Sequence, residues 1–254
     1  MKYDILLFDA DDTLFDFYHT GQTSFLKACK TVGLNATEKD YDVYSDINQK
    51  RWDLYSLGKI TKEDVLLGRF EEYARVKKID LDVRKFYELY EQNLSETAIL
   101  YPETEKMLEQ LKKAGARIFL ITNGIKKVQR GRLSLSGIED YFEGIFISDE
   151  IGFKKPSVEY FDYVSSRIEN FNPSETLIIG DSLVSDIALG INNNIDTCWF
   201  NKDNLPNTEN IKPKYTIDSL MQIFDVINPD KRLRAVNLIK IKEPRSAPLF
   251  FNYT

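Results

Sequence analysis

What this chain of 254 residues has little of narrows its chemistry first. Its two cysteines, Cys29 and Cys198, lie far apart and show no metal-ligand spacing, so neither a disulfide scaffold nor a zinc site is supported. Each thiol is expected to be a small buried apolar group. The single histidine, His19, is placed at the start of a helix and on the surface, and it receives no catalytic role. Basic excess is also missing: 34 Lys and Arg stand against 40 Asp and Glu, a net charge of -6, which gives no footprint for a phosphate backbone. Polymeric nucleic acid is therefore not the expected partner. No apolar run is long enough to span a bilayer, and Ile5–Phe8 is too short for a signal-peptide core. The expectation is a cytoplasmic protein with no membrane partner. Internal repeats and low-complexity tracts are absent as well.

What is present is a globular composition, 43% hydrophobic and 29% charged, able to bury a core. Strand-length apolar runs occur at Ile5-Leu6-Leu7-Phe8, Ile118-Phe119-Leu120-Ile121, Ile145-Phe146-Ile147 and Leu177-Ile178-Ile179. Helical stretches alternate with the later runs; one opens at Tyr101-Pro102, carries Met107, Leu108 and Leu111, and closes near Gly115. That alternation predicts an α/β fold with an open parallel sheet, Rossmann-like in plan. Residues 15–98 break the pattern. They show helical spacing (Phe25, Cys29, Val32; Val83, Phe86, Tyr87, Tyr90) and a capping box at Thr61 and Asp64, and they are read as a helical cap inserted after the first strand. The core is then 1–14 with 99–228. Residues 229–254, basic at first and ending in Leu249-Phe250-Phe251, form a C-terminal tail without an assigned role.

The chemistry follows the apolar runs. Asp9-Ala10-Asp11-Asp12-Thr13, Thr122-Asn123-Gly124 and Gly180-Asp181-Ser182 each begin where a strand ends, and in a parallel sheet such ends converge on one crevice. Two acids at positions 9 and 11 can divide labour, one attacking phosphorus and one moving protons, although a lone Asp-x-Asp more often caps a loop. Asp181 and Asp186 add oxygen ligands of the kind that suits magnesium. Crowded carboxylates beside a phosphate repel by about 4 kcal/mol per pair at 4 Å and an effective dielectric near 20, which a divalent cation relieves. Asp186 serves equally as a favourable charge in a helix first turn and is placed outside the direct ligands. Lys154-Lys155-Pro156 can supply a fixed cation to a phosphate, Thr122 a hydroxyl and Asn123 a backbone amide, with Gly124 permitting close approach. Taken alone, Thr122 reads as a strand-end hydroxyl that satisfies a turn.

Together, Asp9-Ala10-Asp11-Asp12-Thr13-Leu14, Ile121-Thr122-Asn123-Gly124, Lys155-Pro156 and Gly180-Asp181-Ser182 with Asp186 resemble the haloacid dehalogenase superfamily of phosphatases, in that family's order. The resemblance implies a nucleophile at Asp9 and an acid/base at Asp11. It also implies a phosphate-binding hydroxyl at Thr122, a cation at Lys155 rather than Lys154, and Mg2+ held by Asp9, the Asp11 carbonyl and Asp181. Asp9 to Phe17 and Ile195-Asp196-Thr197-Cys198-Trp199 further resemble the pyrimidine 5′-nucleotidase branch, whose substrates are nucleoside 5′-monophosphates. There Asn194 stands where that branch often has glycine, and asparagine tolerates a positive φ. The expected partner is thus a small phosphorylated metabolite. The same core in relatives carries dehalogenases, phosphonatases and phosphosugar mutases, so the alternatives are a phosphatase of sugar phosphates or other small metabolites and a phosphosugar mutase, and a receiver-like or non-catalytic phosphate-binding module is the reading from another class. Asp11 argues against a dehalogenase, which needs no second aspartate. Trp52, Tyr55, Phe17 and Tyr18 are candidates either to stack on a base or to pack the helices.

Overall fold

The structure is a computed structural model that describes residues 1–228; the predicted tail 229–254 lies outside the described residues. Six parallel strands form one sheet in the order β3-β2-β1-β4-β5-β6: β1 (Ile5–Phe8), β2 (Arg117–Thr122), β3 (Gly144–Ile147), β4 (Thr176–Gly180), β5 (Asp196–Phe200) and β6 (Tyr215–Ile217). The α/β parallel-sheet class read from the sequence is the observed one. β1 lies in the middle, pairing with β2 on one side and β4 on the other, and the chain builds outward in both directions from it. The crevice between the carboxyl ends of β1 and β4 is accordingly the switch point at which such sheets bind ligands.

The continuous apolar runs become strands because both faces are covered. Leu6, Phe8, Ile118, Leu120, Leu177 and Ile179 join one buried cluster, whereas Ile5, Leu7, Phe119, Ile121 and Ile178 join another on the opposite face. The two-residue period of a strand makes that division, and burial of each large aliphatic side chain contributes about 1.5–3 kcal/mol. β5 and β6 escape the search for apolar runs for physical reasons. β5 opens on Asp196 and Thr197, and β6 is a three-residue edge strand with Thr216 exposed.

Between β1 and β2 the chain forms α1 (Phe17–Thr31), α2 (Glu38–Ser56), α3 (Lys62–Leu66), α4 (Gly68–Lys77), α5 (Val83–Ser95) and α6 (Thr104–Lys113). α3 starts at the Thr61 capping box, whose hydroxyl accepts from the Asp64 amide at 3.2 Å. α1, α2, α4 and α5 bury their own aromatic cluster, with Phe25 stacked on Tyr44 at 4.8 Å between centroids and Tyr44 on Phe70 at 5.1 Å. Trp52 and Tyr55 stand outside that cluster and pack edge-on to each other at 5.8 Å. α7 (Lys126–Ser136), which follows β2, touches both parts: Val128 enters the helical cluster and Leu133 the sheet cluster. The contact with α5 is close, since a Cβ on Gly131 would lie 2.4 Å from the Ser95 carbonyl oxygen. Both cysteines are free and buried. No helix among the described residues is long and apolar enough to cross a membrane.

Asn194, just before the β5 turn, adopts φ 56°. This is the left-handed region, which costs a residue with an ordinary Cβ roughly 1–2 kcal/mol. Asn194→Ala is expected to lower stability by about 1 kcal/mol and Asn194→Gly to leave it unchanged or raise it, as measured by urea unfolding; equal stability of the two variants would contradict a backbone cause.

Candidate active site

The three strand-end clusters meet. Asp9 follows β1, with its amide donating to the Ile179 carbonyl at 2.9 Å, and the residue is 6% exposed. Lys155 reaches in from the segment before helix Val158–Ser165. Its Nζ donates to Asp9 Oδ1 at 2.5 Å, to Asp186 Oδ1 at 2.6 Å and to the Ile121 carbonyl at 3.0 Å, which uses all three ammonium protons. The adjacent Lys154 points elsewhere, donating to the carbonyls of Tyr55 and Ser56 at the end of α2. Asp186 lies in a π-type turn (Leu183–Ile187) after β4, and its second oxygen accepts from the Ser182 amide at 3.1 Å. Gly180 allows this approach, because a Cβ there would sit 2.3 Å from the Asp186 carboxyl carbon. With both oxygens engaged, Asp186 buttresses Lys155 rather than standing free.

Carboxylate oxygens of Asp9, Asp181 and Asp186 lie within 4.8 Å of one another. Three carboxylates around one ammonium leave a formal charge of -2 if all are ionised. Burial, reinforced by Asp186 and Asp11, pushes the Asp9 carboxyl up to about 8 against the pull of Lys155. Burial and the Asp9 charge raise Asp181 well above the carboxylate range. Burial alone would lower Lys155, but Asp186 and Asp9 more than reverse it and hold the ammonium charged. An all-oxygen donor set short of two positive charges fits a hard divalent cation.

Asp11 lies two residues on, at the mouth of the same cavity, and meets α7: Gln129 Nε2 donates to it at 2.6 Å and Arg132 forms an ion pair with it. Arg132 is fully buried, with its guanidinium 4.3 Å from the Phe15 ring centroid. Thr122 is buried, and its Oγ accepts from the Gly124 amide at 3.0 Å, so its own proton is left to donate. The Asn123 side chain clamps the Lys155 backbone through bonds of 2.8 and 2.9 Å. His19 is exposed and paired with Asp16 at 2.7 Å, away from the carboxylates. Gln129 and Arg132 were not legible as site residues; the one available signal is their spacing of three on a helix directly after Thr122-Asn123-Gly124. The helical insert lines the opposite wall with Phe17, Asn48, Trp52 and Arg69, so of the aromatic candidates Phe17 and Trp52 face the cavity.

The raised carboxyls have a consequence for stability in the absence of divalent cations. A folded-state value of about 8 for Asp9, against about 3.9 in the unfolded chain, contributes stability that is complete below pH 4 and lost as pH rises through 8. Asp12, raised by burial to about 6, acts in the same direction, whereas Asp40, held near 2 by Lys77, matters only at lower pH. In chelator the unfolding temperature should fall between pH 5 and 9, and Asp9→Asn should flatten that fall; a midpoint that rises across this window would contradict the account.

The chain is similar to known proteins over the whole of this region. The chain matches the haloacid dehalogenase-like hydrolase family over residues 6–200. It is 34% identical over 227 residues to YfnB of Bacillus subtilis, a protein named for the same hydrolase family, with 89% of this chain and 96% of that protein covered. It is 35% identical over 229 residues to YjjG of Escherichia coli, named a pyrimidine 5′-nucleotidase, with 89% and 99% covered. PynA of Streptococcus pneumoniae, which carries the same enzyme name, is 30% identical over 228 residues, with 90% and 96% covered. The crystal structure of YfnB bound to magnesium, which reveals interdomain movement in that protein, superposes with a TM-score of 0.84 at 34% identity and covers 90% of this chain and 100% of its own. Since the family match runs through every segment that brings Asp9, Thr122, Lys155 and Asp181 together, the chain belongs to the haloacid dehalogenase-like hydrolases.

Proposed function

We propose that the chain is a magnesium-dependent phosphomonoester hydrolase in which Asp9 takes the phosphoryl group and Asp11 handles the proton. The observation that carries this reading is the grouping of a buried Asp9 with Lys155 and the Asp181 and Asp186 oxygens, opening on a cavity whose mouth holds Asp11. In the first half-reaction an Asp9 oxygen attacks phosphorus and the bond to the leaving oxygen breaks, with Asp11 protonating that oxygen. In the second, Asp11 takes a proton from water, the water oxygen attacks phosphorus, and the bond to Asp9 breaks to free phosphate. The Thr122 hydroxyl holds a non-bridging oxygen, and Lys155, kept in place by the Asn123 clamp, sets its positive charge beside the Asp9 carboxylate that receives the phosphoryl group. Asp9, the Asp11 carbonyl and Asp181 would hold the magnesium, which supplies positive charge where phosphoryl oxygens gather.

The helical insert is proposed to act as a cap, comprising residues 15–98. The core groups address only the phosphate, so whatever is attached to it meets the cap. The names of YjjG and PynA support a pyrimidine nucleoside 5′-monophosphate as substrate. Phe17 and Trp52 on the cavity wall offer flat faces for such a base.

The test is a panel of uridine, thymidine, adenosine and hexose monophosphates with magnesium, scored by kcat/KM. The pyrimidine esters should lead, activity should vanish in chelator and return with magnesium but poorly with calcium, and folded Asp9→Asn should lose turnover altogether. A hexose phosphate in the lead would overturn the substrate, while turnover by Asp9→Asn would overturn the mechanism.

A further inference from the structure

Two arginines among the described residues are almost wholly buried, and they differ in what neutralises them. Arg132 has Asp11. Arg69, at the start of α4 and 2% exposed, has no carboxylate partner among the described residues: Nη1 donates to Asn48 Oδ1 at 2.8 Å, Nε to the Leu66 carbonyl at 3.3 Å, and Nη2 to nothing. Its other neighbours are the rings of Phe70 and Tyr90, 4.9 and 5.4 Å from the guanidinium carbon. Burial holds the phenols of Tyr44 and Tyr90 above their ordinary value, so they stay neutral and supply no counter-charge. A desolvated guanidinium with an idle donor is costly unless an acceptor arrives from elsewhere.

The acceptor has a route. Arg69 and Asn48 both line the cavity that contains Asp9 and Asp11, on the wall formed by the insert. Arginine has no acceptor, so Asn48 must turn its oxygen toward it, which leaves the Asn48 amide with two N–H groups and no acceptor to offer. Asn48 therefore offers N–H donors to the cavity that Phe17 and Trp52 also line.

We propose that Asn48 Nδ2, with the buried Arg69 guanidinium held directly behind it, forms a specificity subsite in the insert that grips an acceptor oxygen, a ring carbonyl or a carboxylate, on the end of the leaving group remote from phosphorus. The proposal rests on the phosphatase reading and adds the residues that select the substrate. It also explains why the insert keeps a buried arginine unpaired: a carboxylate of its own would compete with the ligand.

The test uses the full chain with magnesium and three esters: uridine 5′-monophosphate, which bears ring carbonyls, 4-carboxyphenyl phosphate, which bears a carboxylate, and phenyl phosphate, which bears neither. Arg69→Met should lower the kcat/KM of one acceptor-bearing ester relative to phenyl phosphate by roughly ten- to a hundredfold, the range for a hydrogen bond to a charged group. The ester that falls identifies the oxygen. Asn48→Asp supplies the missing counter-ion; it should raise the unfolding temperature while lowering the same ratio, and it decides the matter if Arg69→Met does not fold. Unchanged ratios in a folded variant, with losses shared equally by all three esters or absent, would overturn the subsite. Wild-type protein that hydrolyses none of the three would instead overturn the phosphatase reading, and the subsite with it.

Discussion

A single lysine ammonium, sealed from solvent, holds together carboxylates that would otherwise repel. Lys155 binds Asp9 and Asp186 and caps the Ile121 carbonyl, thereby joining the ends of β1, β2 and β4 through one charged group. Each charge would be expensive to bury alone, and the pairs are tolerable because every ammonium proton has an acceptor. One cation cannot balance the whole cluster, however. Burial and the excess negative charge together raise Asp9 and Asp181, and that excess is also what suits the site to a divalent ion and, with it, to a phosphate. Stability and proposed chemistry thus draw on the same imbalance.

The rest of the molecule positions that cluster and encloses it. The sheet supplies rigidity, because its central strands are buried on both faces and any shift of β1 against β4 would disturb two apolar clusters. α7 joins the sheet to the insert: one turn carries Gln129 and Arg132 to Asp11, and the neighbouring Val128 packs into the aromatic cluster of the insert. The insert and Asp11 are thus linked by a contiguous set of packed side chains on one helix.

The division between what was legible in the sequence and what was not follows from locality. Asp9, Asp11, Thr122 and Asp181 could be read because each lies at the carboxyl end of a doubly buried strand or within three residues of it, so a local apolar run points to its place in space. β5 lacked such a run, with Asp196 binding Tyr3 and Lys214 at its start, and only the resemblance drew notice to that segment. Gln129 and Arg132 meet Asp11 across 118 and 121 residues, and nothing local in their helix announces the pairing. Arg69 is concealed more thoroughly, since Gly68-Arg69-Phe70-Glu71-Glu72 reads as a charged helix surface and only the docking of α4 on α2 removes the guanidinium from water. Chemistry set by strand ends was readable; chemistry set by helix docking was not.

The proposed reaction requires Asp9 to become covalently phosphorylated. During turnover of a phosphate ester with magnesium, rapid acid quenching followed by borohydride should reduce an acyl-phosphate to an alcohol, which mass spectrometry of the peptide containing Asp9 reads as homoserine at that position. Reduction is expected at Asp9 and at no other carboxylate, and with an ester of a very good leaving group, whose departure needs little help from Asp11, Asp11→Asn should increase the trapped fraction. Reduction at Asp11 or Asp181, or none at Asp9 while phosphate is being released, would contradict it.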